Sequence, residues 1–193
     1  MVDHLMSGYV FIDSLIEHKV DLLAFGQLRL LLELNALVLC GQDEQVRLEA
    51  VGHLKATDKH FFDNVDGGIR DVIEWHALHA HESAWLRAAG VYIRMLAEPE
   101  LFIEGNHRTG ALVMSYLLAR EGRPPFVLTV ENAKGYFDPS TLITKTKKGS
   151  FGMMYRMPGI KKDFAAFLKD QTDDAFLATK PQQIADPPVT LRA

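Results

Sequence analysis

The amino-acid sequence predicts a mainly α-helical, single-domain protein, because its apolar residues recur at the 3.6-residue helical period. Residues 5–19 carry apolar side chains at that spacing, residues 22–40 are apolar on nearly every side, and residues 111–119 are almost free of charge. A helix that is apolar all round belongs in the interior of a bundle. We therefore expect a helical bundle around a buried helix at residues 107–121.

The predicted helix boundaries follow from glycine, proline and turn-forming residues. Gly41 suits the end of the second helix, Pro99 ends the long pattern that begins at Ile69, and Gly122 ends the central helix. Residues 63–68 favour a turn, and residues 126–130 are the best candidate for a short strand. The helices are predicted at residues 5–19, 22–40, 44–59, 69–96, 107–121, 139–148 and 160–177.

Charge and composition narrow the class of protein. With a formal net charge of −4, the chain lacks the basic surplus of a general nucleic-acid binder. No signal-peptide pattern opens the sequence, and the apolar run at residues 28–40 is short and contains Arg29 and Glu33. We expect a cytoplasmic protein with no nucleic-acid or membrane partner and with Cys40 as a buried thiol.

The expected organisation is an N-terminal helix at residues 1–20, one helical domain at residues 21–178 and a loose tail at residues 179–193. The tail is expected to be loose because it contains three prolines and few large apolar residues. The sequence leaves open whether the protein forms a homo-oligomer.

Residues 99–111 combine features that suit a phosphate ligand. Gly105 and Asn106 lead into the predicted central helix, and asparagine is a favoured residue at a helix N-terminus. The first turn offers unpaired N–H groups and the positive end of the helix dipole, and Arg108 adds a planar cationic donor. Glu104 would be repelled by a phosphate unless a divalent cation bridges them. The simpler alternative is a capped helix with a surface arginine.

Residues 102–108, Phe-Ile-Glu-Gly-Asn-His-Arg, resemble the signature of Fic/Fido proteins, His-x-Phe-x-Asp/Glu-Gly-Asn-Gly-Arg-x-x-Arg. The matching residues are Phe102, Glu104, Gly105, Asn106 and Arg108. The resemblance implies a Fic/Fido-type helical bundle over residues 21–178, with room for a small β-hairpin flap or a short strand. Residues 64–68 are the candidate for that flap.

In Fic proteins a nucleotide, usually ATP, occupies this loop, and a nucleotidyl group, most often AMP, is transferred to a hydroxyl of a target protein. The resemblance implies that Glu104 holds Mg²⁺ or Mn²⁺ and that ATP or another nucleotide is the donor. The target protein is unknown. The implied nucleotide- and phosphate-binding residues are Gly105, Asn106, His107, Arg108, Thr109 and Gly110.

Three departures from the family signature bear on catalysis. The signature histidine, which acts as general base, is replaced by Glu100 in strict register or by Glu98 in a shifted register. A carboxylate is a weaker base than imidazole at neutral pH, although burial strengthens it. His107 stands where the family has glycine and is a third catalytic candidate. Ala111 replaces the final arginine.

Two functions remain open on these residues. The first is a Fic-like transferase with an atypical active site, and the second is a catalytically impaired nucleotide-binding pseudoenzyme or interaction module. A third, a metal hydrolase, would use the histidines at positions 76, 79 and 81. His76 and His79 share a helix face while His81 points away, so this segment does not predict a three-ligand zinc site.

Overall fold

The computed structural model describes residues 2–63 and 67–177, and these residues form a mainly α-helical structure. Their β structure is limited to one isolated parallel bridge between Glu98 and Lys147. The described helices are α1 (Val2–Glu17), α2 (Leu28–Cys40), α3 (Glu44–Glu49), α4 (Val51–Asp63), α5 (Ile69–Leu78), α6 (Ala84–Leu96), α7 (Asn106–Arg120), α8 (Val130–Phe137), α9 (Ser140–Thr144) and α10 (Met157–Gln171).

Helix α7 is the central helix, as its charge-free sequence predicts. It packs against α6, α1 and α2, and its residues from Thr109 to Leu118 are buried. Gly110 allows the Tyr92 ring of α6 to approach, because a Cβ there would lie 2.7 Å from Cδ2 of that ring. Each large apolar side chain buried along α7 stabilises the fold by about 1.5–3 kcal/mol. The core therefore fixes α7, and with it the loop that precedes α7.

The predicted single helix at residues 69–96 is wrong. The chain forms α5 and α6 instead, because Ser83 begins a new helix by accepting a hydrogen bond from the amide of Leu86. Gly90 lies inside α6, where the Trp75 ring of α5 packs directly on its backbone. The predicted helix at residues 44–59 is likewise divided at Ala50 into α3 and α4.

The predicted strand at residues 126–130 is also absent from the described structure. The segment is an extended connection whose buried Phe126 carbonyl accepts hydrogen bonds from the side chains of Ser115 and Tyr9. Thr129 and Asn132 then form a capping box that begins α8. Side chains therefore take the place of a neighbouring strand.

Several expectations concern location and exposure. Cys40 is buried, as expected. Within residues 2–63 and 67–177, none of the helices combines the length and apolarity needed to cross a bilayer. The tail at residues 179–193 and most of the flap candidate at residues 64–68 lie outside the described residues.

Candidate functional site

The loop between α6 and α7, residues 98–105, is called the motif loop below. Its first part is held by Lys148. The Lys148 backbone N–H donates to the Glu98 carbonyl at 2.9 Å, and its Nζ donates to the Pro99 carbonyl at 2.8 Å and also to the Gly67 carbonyl. Burial lowers the pKa of this amine to about 8. One side chain thus joins the motif loop to the chain that precedes α5.

Two further helices hold the middle and the end of the motif loop. His60 of α4 donates from Nε2 to the Glu100 carbonyl at 2.9 Å. Asn35 of α2 is fully buried, and its Nδ2 donates to the Glu104 carbonyl at 2.9 Å and to Thr109 Oγ1 at 3.0 Å. The carbonyl groups of Glu98, Pro99, Glu100 and Glu104 are therefore all hydrogen-bonded within the protein.

Asn106 closes the motif loop upon itself. Its Oδ1 accepts from the Phe102 amide at 2.9 Å, and its Nδ2 donates to the Phe102 carbonyl at 2.7 Å. Phe102 is anchored below, where its ring stacks on Phe61 of α4 with the ring centroids 5.5 Å apart. The asparagine that the sequence assigns to phosphate binding is instead buried and occupied by the loop backbone.

Gly105 turns the chain from the motif loop into α7. Its φ of +80° lies in the left-handed region, which disfavours other residues. A Cβ at this position would also lie 2.9 Å from Asn35 Nδ2 and 3.2 Å from Leu39 Cδ2. Both the backbone angle and the close contacts therefore require glycine.

The first turn of α7 opens outward from this arrangement. Among the described residues, no acceptor is bonded to the backbone N–H groups of Asn106, His107 or Arg108, whereas the Thr109 amide bonds to the Gly105 carbonyl. The same three residues border a surface hollow of about 350 Å³, called the loop hollow below. The loop hollow is lined by Glu100, Ile103, Glu104, Gly105, Asn106, His107 and Arg108.

Thr109 and Gly110, which the resemblance also implies as nucleotide- or phosphate-binding residues, are not among the residues that line the loop hollow. Both residues are buried. The Thr109 hydroxyl accepts from Asn35, and Gly110 packs against the Tyr92 ring. They support the first turn of α7 from beneath.

His107 borders the loop hollow and is held by two tyrosines. Its Nδ1 lies 3.0 Å from the Tyr92 hydroxyl, and its carbonyl accepts from the Tyr136 hydroxyl at 2.6 Å. Burial lowers the pKa of the imidazole, which favours the neutral form of the ring. The histidine that stands at the family's glycine position thus has a fixed orientation.

Arg108 also lines the loop hollow, but part of its guanidinium serves the fold. Nη1 donates to the Val38 carbonyl at 3.0 Å, in the last turn of α2. A cation suits the negative end of a helix dipole. The remaining N–H groups of Arg108 have no partner among the described residues and are the ones available to an anion.

The two candidate bases differ in position. Glu100 borders the loop hollow, and burial raises its pKa, while hydrogen bonding to Asn106 and the nearby charge of Lys148 oppose that rise. Glu98 is outside the lining, and its half-exposed carboxylate lies 4.0 Å from Lys147 Nζ. The geometry therefore favours Glu100, the residue in strict register with the signature histidine.

Glu104, the predicted metal ligand, has a carboxylate that is 66% exposed at the edge of the loop hollow. Its nearest basic group is His53 Nε2, at 3.8 Å. Exposed carboxylate oxygens with room for water are the ligands that Mg²⁺ and Mn²⁺ accept. The position of Glu104 therefore fits a divalent cation.

The remaining histidines do not form a second site in the described part of the chain, which holds no group of three or more metal-ligating side chains. His79 stacks on Trp75 with centroids 4.0 Å apart, and its Nδ1 bonds to the carbonyl of that residue. Burial lowers the pKa of His76. The contacts of His79 make it part of the α5 packing, whereas His76 Nε2 is buried without a hydrogen-bond partner among the described residues.

Asn35, His60 and Lys148 hold the motif loop, and the sequence reasoning missed all three roles. Asn35 carried a signal, because it is the one amide within the apolar run of α2. Lys148 is the last residue of the predicted helix at residues 139–148, where a lysine normally extends into solvent, whereas here it is partly buried and bonded to the motif loop. His60 carried no local signal, because its partner is forty residues away in sequence.

Comparison with known proteins adds no relative: no protein-family model, curated protein or solved structure matches the chain.

Proposed function

We propose that this protein binds a nucleotide, or another ligand with a phosphate chain, at the N-terminus of α7 and transfers a nucleotidyl or related phosphate-linked group to a hydroxyl of a target protein. One observation carries the proposal. The N–H groups of residues 106–108 have no acceptor among the described residues, and these three residues line the loop hollow. Unpaired amides at the positive end of a long helix suit phosphate oxygens. The resemblance to the Fic signature supports the same reading.

Glu100 is the proposed general base. It would accept the proton of the attacking hydroxyl, whose oxygen would form a bond to the phosphorus nearest the nucleoside. Pyrophosphate would leave with the electrons of the broken phosphorus–oxygen bond. Because burial raises the pKa of Glu100, this carboxylate is a stronger base than an exposed glutamate. Glu104 would hold Mg²⁺ or Mn²⁺, which neutralises phosphate charge when bound.

A second candidate function is phosphate-ligand binding without transfer. The observation that favours it is the limited positive charge at the loop hollow. Arg108 shares its guanidinium with the Val38 carbonyl, and Ala111, at the place of the family's final arginine, is fully buried. The loop hollow therefore lacks a second arginine to hold the end of a triphosphate.

Incubation of the protein with ATP, CTP, GTP or UTP labelled at the α-phosphate, with Mg²⁺ or Mn²⁺, tests transfer through self-labelling. We expect labelling that is lost in Glu100→Gln and kept in Glu98→Gln, which is the matched control outside the loop hollow. Calorimetric titration with the same nucleotides tests binding. Binding without labelling would support the second function, and no binding of any nucleotide would refute both.

A further inference from the structure

The His107 ring is enclosed on one side by aromatic residues. Its centroid lies 5.3 Å from that of Phe137 and 6.4 Å from those of Tyr92 and Tyr136. Tyr92 and Tyr136 are fully buried. The orientation of the ring is therefore fixed, with Nδ1 toward the core. Nε2 is not one of the buried, unpartnered polar atoms of the described residues.

The protons of this cluster can be assigned in turn. The Tyr136 hydroxyl must donate to the His107 carbonyl, because a carbonyl oxygen only accepts. The buried Tyr92 hydroxyl then has two neighbours that accept, namely His107 Nδ1 at 3.0 Å and the hydroxyl oxygen of Tyr136. A neutral imidazole nitrogen is a stronger base than a phenol oxygen. The Tyr92 proton therefore goes to Nδ1.

We propose that Tyr92 is a positioning residue that fixes His107 as the Nε2–H tautomer, so that the imidazole presents a hydrogen-bond donor to the loop hollow. A nitrogen that accepts a hydrogen bond cannot carry the ring proton, so the proton lies on the other nitrogen. His107 is then unsuited to act as a general base. Its Nε2–H instead adds a side-chain donor beside the amides of residues 106–108.

The identity of the ligand that accepts from this N–H rests on the proposed function. The tautomer assignment does not depend on it. An N–H directed at the loop hollow favours an oxygen anion such as a phosphate. It also leaves proton acceptance to Glu100, the carboxylate on the same lining. Of the two candidate bases His107 and Glu100 on this lining, Tyr92 thereby makes His107 the donor and leaves Glu100 as the acceptor.

Long-range ¹H–¹⁵N NMR of the full chain with ¹⁵N-labelled histidine tests the tautomer at neutral pH. The chain contains 8 histidines, and the His107 signals are assigned as those missing in His107→Gln. We expect an Nε2–H pattern in the wild type and in Tyr136→Phe, the matched control that removes the bond to the His107 carbonyl and leaves His107 Nδ1 as the acceptor of the Tyr92 hydroxyl. We expect a mixture of tautomers in Tyr92→Phe, which keeps the ring and loses the hydroxyl.

Two results would overturn the assignment. One is an Nδ1–H pattern in the wild type, which decides the question even if Tyr92→Phe fails to fold. The other is a pure Nε2–H pattern that persists in folded Tyr92→Phe. Titration with inorganic triphosphate then measures the consequence, and we expect severalfold weaker binding in Tyr92→Phe than in Tyr136→Phe. If no variant binds triphosphate, the proposed function fails while the tautomer assignment stands on the spectra.

Discussion

Replacing Asn106 with alanine tests whether the closed motif loop depends on this one side chain. The substitution removes both hydrogen bonds to Phe102, at 2.9 and 2.7 Å. Phe102 is 1% exposed, so water cannot easily replace the lost partner. A buried donor or acceptor left without a partner costs about 1–3 kcal/mol. The Phe102 N–H and carbonyl groups share one partner, the Asn106 side chain, so we expect a combined loss of about 2–4 kcal/mol in the free energy of unfolding.

Urea unfolding followed by far-ultraviolet circular dichroism measures this loss, because the described fold is helical. The matched control is Ile103→Ala in the same loop, since the Ile103 side chain is exposed and should change the free energy of unfolding by less than about 0.5 kcal/mol. If Asn106→Ala matches Ile103→Ala, the buried hydrogen bonds do not hold the loop.

Three further predictions concern the supports around the site. The free energy of unfolding should rise with pH from about 8 to 10.5, because the unfolded chain binds the Lys148 proton more tightly there, and Lys148→Met should remove this rise in urea titrations. Gly90→Ala should lower the free energy of unfolding by about 1–3 kcal/mol despite its better helix propensity, since the new Cβ overlaps the Trp75 ring; thermal unfolding measures this. Arg108→Gln should lower the free energy of unfolding by about 1 kcal/mol, because the bond to the Val38 carbonyl is lost. It should also weaken triphosphate binding, which calorimetry measures.

The sequence predicted the central helix and the place of the loop because both depend on local patterns. The charge-free run at residues 111–119 predicts burial, and Gly105 followed by Asn106 marks the turn into the helix that carries it. The break between α5 and α6 was not predicted, because the apolar stripe continues through it and only Ser83 marks the new start. A continuous stripe shows which face is buried but does not show that one helix carries it.

The local pattern also misassigned side chains within the candidate site. Asn106 and Arg108 were correctly placed at the start of α7, but the first bonds to Phe102 and the second partly to Val38. The bond to Val38 depends on how α2 packs beside the loop, which is a tertiary contact 70 residues away in sequence, whereas the bonds to Phe102 lie within the loop itself. A short motif thus predicts which backbone is presented to a ligand better than it predicts what each polar side chain contacts.

The departures from the Fic signature at positions 107 and 111 lie on the same helix, α7. Position 111 lies one helical turn after His107 and is fully buried, so an arginine there would place a charge among apolar side chains at a cost of several kcal/mol. Without that arginine, the loop hollow draws on amide dipoles, part of Arg108 and a neutral imidazole, while Glu100 and Glu104 add negative charge. A triphosphate would then be held weakly unless a divalent cation at Glu104 offset this repulsion. We therefore expect nucleotide affinity here to depend on Mg²⁺ or Mn²⁺ more strongly than in a site with two free arginines.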